Sequence, residues 1–283
     1  MKKKLAIVTD STTHFEKEYC KENHLYVAPI YLLDGENSWR ETDELVSPAW
    51  FYEKLTSSAA GIKTSQPSIG ETVELFQNLL EEYDNVLVFS FSSKASGTFQ
   101  SFNTAKELTS PEKITIFDTE SAGIAKDLQI MYAVEQLEKN KTVETILLEL
   151  EERKDKTHFY VIPADLQQLH RSGRVKTSQF YLGSLLQIKP ILSVKDGIIG
   201  PCDKVRTYAN IKKWIFKKIA EIKDTVEPTL YLYGTYEDDD EMAQYKSELQ
   251  ALYPTWDIRI LPFPYSLAVH VGKGSKGFII QSK

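Results

Sequence analysis

Cysteine is scarce in this chain: there are two among 283 residues, Cys20 and Cys202, far apart and without C-x-x-C spacing. That excludes a disulfide framework and leaves two ordinary thiols. Histidine is also sparse, and its five positions, 14, 24, 158, 170 and 270, are too dispersed to suggest a metal site. The motifs G-x-x-x-x-G-K-[ST], H-E-x-x-H and G-x-S-x-G are missing, so P-loop, zincin and nucleophile-elbow chemistry have no sequence support. No long apolar run follows the Met1-Lys2-Lys3-Lys4 start, because Leu5 to Val8 is far too short for a signal h-region or a membrane span. The expectation is a soluble cytoplasmic protein without stable membrane insertion. Positive charge is not in excess either. Lys and Arg total 34 against 40 Asp and Glu, a formal charge of −6, which argues against a nucleic-acid partner.

What is present is a globular composition, 42% hydrophobic and 26% charged, on a length that suits about two domains. The first half alternates β-rich runs with amphipathic stretches, the rhythm of βα units on a largely parallel sheet. Expected strands are Leu5 to Val8, Leu25 to Leu32, Val86 to Phe91 and Lys113 to Phe117. Polar clusters follow three of them, at Thr9 to Thr12, Ser92 to Thr98 and Asp118 to Ser121. Open α/β sheets bind ligands beyond the carboxyl ends of their strands, so these clusters are expected on one rim. Ser47-Pro48 and Ser68-Ile69-Gly70-Glu71 read as helix starts, the second as a capping box whose helix runs to about Tyr83. Helical spacing also covers Ile124 to Glu138 and Val143 to Lys154.

From Thr157 the pattern changes. Strand-like Phe159 to Ile162 precedes a short helical segment, and Asp196-Gly197 between two apolar runs signals a hairpin. A helix from Tyr208 to Lys223, a strand Leu230 to Tyr233, a helix Asp238 to Leu252, a strand Ile258 to Leu261 and a last strand ending at Phe278-Ile279-Ile280 follow. The fold class expected is α/β in two domains: a parallel-sheet domain over 1–157 and a mixed-sheet domain over 158–283.

Several motifs have plain structural explanations. Residues 272 to 277 spell G-x-G-x-x-G, but a dinucleotide fold needs a helix, a strand and an acidic residue further on, and only six residues follow Gly277. A glycine turn before a last strand is the better reading. Asp10-Ser11-Thr12-Thr13 after a strand is similar to an aspartyl-phosphate motif, yet Thr12 stands where a second carboxylate would hold Mg²⁺, and a helix N-cap is the favoured alternative. The acidic run Glu237 to Glu241 suits the first turn of the following helix. Lys212, Lys213, Lys217 and Lys218 flank an apolar face, a solvated surface open to transient membrane or partner contact. More informative are two hydroxyl-rich turns, Thr64-Ser65-Gln66-Pro67-Ser68 and Ser93-Lys94-Ala95-Ser96-Gly97-Thr98 with Ser101. Each alone is a capped helix start. Together they offer neutral hydrogen-bond donors at two helix N-termini, suited to a carboxylate or a phosphate.

With these residues the sequence resembles the DegV family of bacterial fatty-acid-binding proteins. The series runs in order through Ile7-Val8-Thr9-Asp10-Ser11-Thr12, Thr64-Ser65-Gln66-Pro67-Ser68, Ser92-Ser93-x-x-Ser96-Gly97-Thr98-x-x-Ser101 and Asp118-x-x-Ser121. It continues with Arg171-x-Gly173-Arg174-Val175, Leu182-Gly183-x-Leu185-Leu186-x-Ile188-Lys189-Pro190-Ile191-Leu192, Asp196-Gly197, Lys204-Val205-Arg206 and His270-x-Gly272-x-Gly274. The resemblance implies two α/β domains with the lipid site between them, and a long-chain fatty acid whose carboxylate meets hydroxyls of Thr64 and Ser96. It implies support from Arg206 and His270 near the carboxyl group, with Ser93 and Ser121 in neighbouring loops. It also implies that the chain is a carrier and not itself an enzyme. The carrier needs no cofactor and no metal, and presents its lipid to a separate ATP-dependent fatty acid kinase that makes acyl phosphate for phospholipid synthesis. The sequence departs from the pattern at Lys94-Ala95, where Gly-Leu is usual, at Ser172, where Gly is common, and at Lys273 and Ser275. Two other readings stay open: a stand-alone α/β acyl or phosphate hydrolase using Asp10 or a serine of the 92–101 cluster, and a regulatory interaction protein with a structural lipid.

Overall fold

The computed structural model describes residues 3–58, 61–164, 166–175, 189–235 and 239–283. The expected Leu182 to Ile188 motif, together with Glu237 and Asp238 of the acidic run, lies outside the described residues. The chain forms two compact units. Unit 1 comprises Met1–Lys154 with Pro264–Ser266, and unit 2 comprises Asp155–Phe263 with Leu267–Lys283.

Unit 1 contains β1 (Lys3–Asp10), α1 (Lys17–Glu22), β2 (Leu25–Ala28), β3 (Tyr31–Asp34), β4 (Asn37–Arg40), α2 (Pro48–Ser57), β5 (Lys63–Ser65), α3 (Ile69–Glu82), β6 (Tyr83–Ser90), α4 (Thr98–Glu107), β7 (Ile114–Asp118), α5 (Ile124–Glu138) and α6 (Val143–Arg153). Its main sheet has the order β2-β1-β6-β7, and every pair is parallel. Strand periodicity sends alternate residues to opposite faces. Ala6, Val8, Val86 and Val88 pack with Phe76 and Leu79 of α3 and Phe102 and Ala105 of α4. On the other face Ile7, Leu87 and Phe89 meet Ile130 and Ala133 of α5 and Ile146 and Leu150 of α6. Both faces are thus covered by helices, as the continuous apolar character of β1 and β6 requires.

The run expected as one strand, Leu25 to Leu32, is two. β2 ends at Ala28, and after Pro29 the chain enters β3, which belongs to a separate antiparallel sheet of order β4-β3-β5. Pro29 has no N–H to donate and biases Ala28 away from helix, so the ladder ends there. Ser47 caps α2 through the Trp50 N–H and Ser68 caps α3 through the Glu71 N–H, as expected. The capping box is only half formed, because the Glu71 carboxylate turns outward to the Tyr31 hydroxyl and, at 2.6 Å, to Arg40 Nη2.

Unit 2 contains β8 (Thr157–Ile162), α7 (Leu166–Arg171), β9 (Lys189–Lys195), β10 (Ile198–Val205), α8 (Tyr208–Ile222), β11 (Val226–Gly234), α9 (Asp239–Leu252), β12 (Asp257–Pro262) and β13 (Lys276–Ser282). α10 (Tyr265–Val271) begins in the segment assigned to unit 1 and continues in unit 2. The sheet order is β10-β9-β8-β13-β11-β12. It is mixed: β11 and β12 are parallel, while the other neighbours are antiparallel. Ile211, Ile215 and Ile219 of α8 and Met242, Tyr245 and Leu249 of α9 pack on Leu230, Leu232, Phe278 and Ile280. The α8 lysines lie beside this core, and Lys212 and Lys218 pair with Glu248 and Glu221. Glu241 of the acidic run reaches Lys276 at 3.0 Å on β13. Residues 272–275 form the turn into β13 and no dinucleotide loop.

The β9–β10 hairpin turns on Asp196 and Gly197, both with positive φ, +48° and +73°. Two successive left-handed residues are what a two-residue turn matching strand twist demands. Gly197→Ala is expected to destabilise unit 2 by about 1 kcal/mol, read as a lower urea midpoint with an unchanged slope. An unchanged midpoint would show that the turn tolerates a β-carbon.

Candidate functional site

The rim expected from the polar clusters is present in unit 1. Parallel pairing places Asp10, Ser90 and Asp118 at the carboxyl ends of β1, β6 and β7. The chain leaves β1 for β2 on one side and returns to β6 on the other, so the loops after β1 and β6 diverge at a topological switch point.

At that point Asp10 and Lys126 form a fully buried ion pair, Nζ to Oδ1 2.8 Å. All three ammonium donors are used: the other two go to Thr9 Oγ1 at 2.7 Å and the Asp10 carbonyl at 3.0 Å. Asp10 Oδ1 also accepts from the Thr12 hydroxyl at 2.5 Å and the Thr12 N–H at 3.1 Å, and Oδ2 accepts from the Phe91 N–H at 2.7 Å. The carboxylate therefore ties together β1, the loop after β6 and the first turn of α5. It is not the helix N-cap expected from the sequence, since α1 starts only at Lys17 behind Glu16. With both oxygens held by internal donors, Asp10 is an anchor and a poor nucleophile. Beside it Asp127 accepts from the Thr13 hydroxyl and the His14 N–H, each at 2.8 Å, so a second residue of α5 holds the same loop.

The two hydroxyl-rich turns come together in unit 1. Ser101 Oγ on α4 donates to the Pro67 carbonyl at 2.6 Å, and Phe76 of α3 lies against Phe102 of α4. Gln66 Oε1 lies so near Gly97 that a β-carbon there would come within 1.9 Å of it. The Gln66 side-chain amide thus fills the space beside Gly97 and brings the two loops into contact. Thr64 sits half-buried in β5, opposite Leu32 of β3. Ser96, also half-buried, shares a 2.9 Å hydrogen bond with the Thr98 hydroxyl and accepts the Thr98 N–H at 3.2 Å, at the start of α4. Ser93 is exposed, with its N–H on Asp118 Oδ1 at 3.2 Å. Ser121 is buried, and its carbonyl receives the Ser92 N–H at 2.9 Å. The β6 loop is therefore cross-linked to the β7 loop as well.

Arg206 and His270 belong to unit 2 and stand on separate elements. Arg206 is exposed in the turn after β10. His270 is in α10, where burial and the nearby Arg174 guanidinium push its imidazole down to about 3. It is neutral throughout the physiological range, so the titration that an unburied histidine would offer as a switch is not available. Arg174 is itself lowered by burial.

Sequence reasoning missed Lys126, Asp127 and Glu41. Glu41 is buried, and its oxygens take the Ser11 hydroxyl at 2.6 Å, the Ser266 N–H at 2.8 Å and the Ser266 hydroxyl at 3.0 Å. Among the described residues no group of three or more His, Cys, Asp or Glu is arranged to hold a metal ion. Likewise, among the described residues no helix is long and apolar enough to cross a membrane.

The ion pair yields a direct expectation. Lys126→Met leaves the Asp10 charge buried without its cation, which costs about 3–5 kcal/mol, whereas the double change Asp10→Asn with Lys126→Met costs less than the single one. Urea unfolding of the two variants checks the order. Equal losses would mean that the pair does not anchor the rim.

Comparison with known proteins agrees with this architecture over its whole length. A DegV domain-containing protein from Halalkalibacterium halodurans is 34% identical over 282 residues, 97% of each chain. Among solved structures, a DegV family protein from Thermus thermophilus, studied for fatty acid binding, superposes with a TM-score of 0.87 at 29% identity, covering 99% of this chain and 100% of its own. DegV of Bacillus subtilis, a fatty acid binding protein, superposes with a TM-score of 0.86 at 30% identity and the same coverage. The family model described as "uncharacterised protein, DegV family" matches residues 4–283. On the strength of that match and of the relatives that share its parallel and mixed sheets, this chain belongs to the DegV family.

Proposed function

We propose that the protein binds a long-chain fatty acid and presents its carboxylate to a separate ATP-dependent fatty acid kinase in the cytoplasm, feeding acyl phosphate to phospholipid synthesis. The observation that carries the binding half of this reading is the closure of the two hydroxyl-rich loops on one another through Ser101 and Pro67, and Gln66 and Gly97. Fatty acid binding by DegV of Bacillus subtilis supports it. Thr64 and Ser96 supply neutral donors to the carboxylate, and donors to an anion are worth more than donors to a neutral oxygen. The acyl chain is the larger contribution, since each buried methylene gains about 0.8 kcal/mol. Binding and head-group chemistry are therefore separable.

In the transfer step the carboxylate oxygen attacks the terminal phosphorus of ATP. The new C–O–P bond forms as the bond from that phosphorus to the ADP oxygen breaks, so ADP is the leaving group. The carrier contributes by holding the carboxylate ionised. Arg206, a permanent cation, and neutral His270 are assigned to the head group and the phosphoryl group, with Ser93 and Ser121 in the surrounding loops. No metal or cofactor is assigned to the carrier, and catalysis is assigned to the kinase.

Equilibrium binding of a labelled long-chain fatty acid tests this reading. Ser96→Ala and Thr64→Val are each expected to weaken binding about tenfold, the loss of one hydrogen bond to a charged group. Wild-type affinity in both would remove these hydroxyls from the site. Arg206→Ala is expected to keep acyl binding and to lower phosphorylation when kinase and ATP are added. Unchanged turnover would take Arg206 out of the transfer step, and turnover of simple acyl or phosphate esters by the protein alone would favour a hydrolase.

A further inference from the structure

Glu41 is an acid buried within unit 1, and its partners have an unusual distribution along the chain. One is Ser11, in the loop after β1. The other is Ser266, 225 residues away and within the first turn of α10. The chain leaves unit 2 at Phe263, contributes Pro264–Ser266 to unit 1, and continues in unit 2 from Leu267. A helix start has N–H groups without partners inside the helix. Here one of them, the Ser266 N–H, is satisfied by Glu41 Oε1 at 2.8 Å, with the Ser266 hydroxyl on the same oxygen at 3.0 Å. Ser11 Oγ accepts the Ile30 N–H at 2.9 Å, which turns its own hydrogen toward Glu41 Oε2. The adjoining Tyr265 ring stacks on Phe51 of α2 with 4.5 Å between centroids. A carboxyl group, a hydroxyl and one aromatic stack thus hold this three-residue segment.

We propose that Glu41 is a remote, proton-linked cap for α10: docking of Pro264–Ser266 on unit 1 goes with a proton on Glu41, and its release goes with loss of that proton to water. Glu41 thus acts as a positioning residue for Pro264–Ser266. The inference holds whether or not the site takes a fatty acid.

Burial raises Glu41 to about 7 from its ordinary 4.5 against the pull of three donors, and the negative charge of Asp10 adds to the rise. Tyr265 also faces Glu41, and its hydroxyl is raised by burial and by Glu41 itself. The docked state therefore holds the proton more tightly than the released state, in which Glu41 is hydrated. Docking is favoured fully below about 4.5 and loses this contribution as the pH climbs through about 7. When protonated, Glu41 gives its hydrogen to Ser266 Oγ, whose own hydrogen rotates away, and the bond from the Ser266 N–H persists.

Amide hydrogen exchange of the whole protein tests this. Protection of the Ser266 amide, corrected for the intrinsic rate, is expected to fall about tenfold between pH 6 and pH 8, while that of Leu87 in the sheet core stays level. Glu41→Gln is expected to abolish the fall, and Tyr265→Phe to retain it. Carbon NMR of the wild-type Glu41 carboxyl is expected to titrate near 7. A midpoint below 5, a level Ser266 profile, or a fall that persists in Glu41→Gln would overturn the proposal. If Glu41→Gln does not fold, the two wild-type measurements decide.

Discussion

The buried pair between Asp10 and Lys126 is the constraint around which unit 1 is organised. β1 is the strand on which the sheet changes direction, flanked by β2 and β6, and its last residue carries the carboxylate. Through that one group the first turn of α5, the Thr9–Thr12 loop and the backbone after β6 are held together. Taking two charges out of water is expensive, and the cost is met here by saturating both partners with hydrogen bonds. The result is a rim whose strongest internal charges are already neutralised, next to loops that present hydroxyls.

That division of labour has a consequence for ligand chemistry. A lysine left free on the rim would attract any small anion. Lys126 is spent on Asp10, so under the proposed reading the carboxylate is left to the neutral hydroxyls of Thr64 and Ser96 together with Arg206. The cross-links from Ser101 to Pro67 and from Ser92 to Ser121 tie these loops to their neighbours, and loops already held in place lower the ordering cost of binding any ligand.

Much of this was legible in the residues because its causes are local. The continuous apolar runs of β1 and β6, the serine caps of α2 and α3, and the Asp196-Gly197 turn all follow from hydrophobic patterning, side-chain capping and glycine at positive φ. The break at Pro29 was equally local and is a case where a proline between two apolar runs outweighs their joint length. The anchoring residues were hidden for the opposite reason. Lys126 and Asp127 look like ordinary solvated positions in the first turn of α5, yet both are buried because their partners lie more than a hundred residues away. Glu41 reads as one more acid after a short strand until Ser266 is placed beside it. The depressed imidazole of His270 depends on burial near Arg174, which no spacing reveals. The hydroxyl loops fell between these cases: each turn was visible, and their closure on one another through Gln66 and Gly97 was not.

The central claim is that this chain is a carrier for a long-chain fatty acid, and the most direct test is denaturing extraction and mass spectrometry of protein purified without added lipid. The account predicts a long-chain fatty acid at close to one per chain, and its identity would define the acyl preference. An empty protein that also fails to take up added fatty acid would contradict the account and return attention to the serine cluster after β6 as reactive groups.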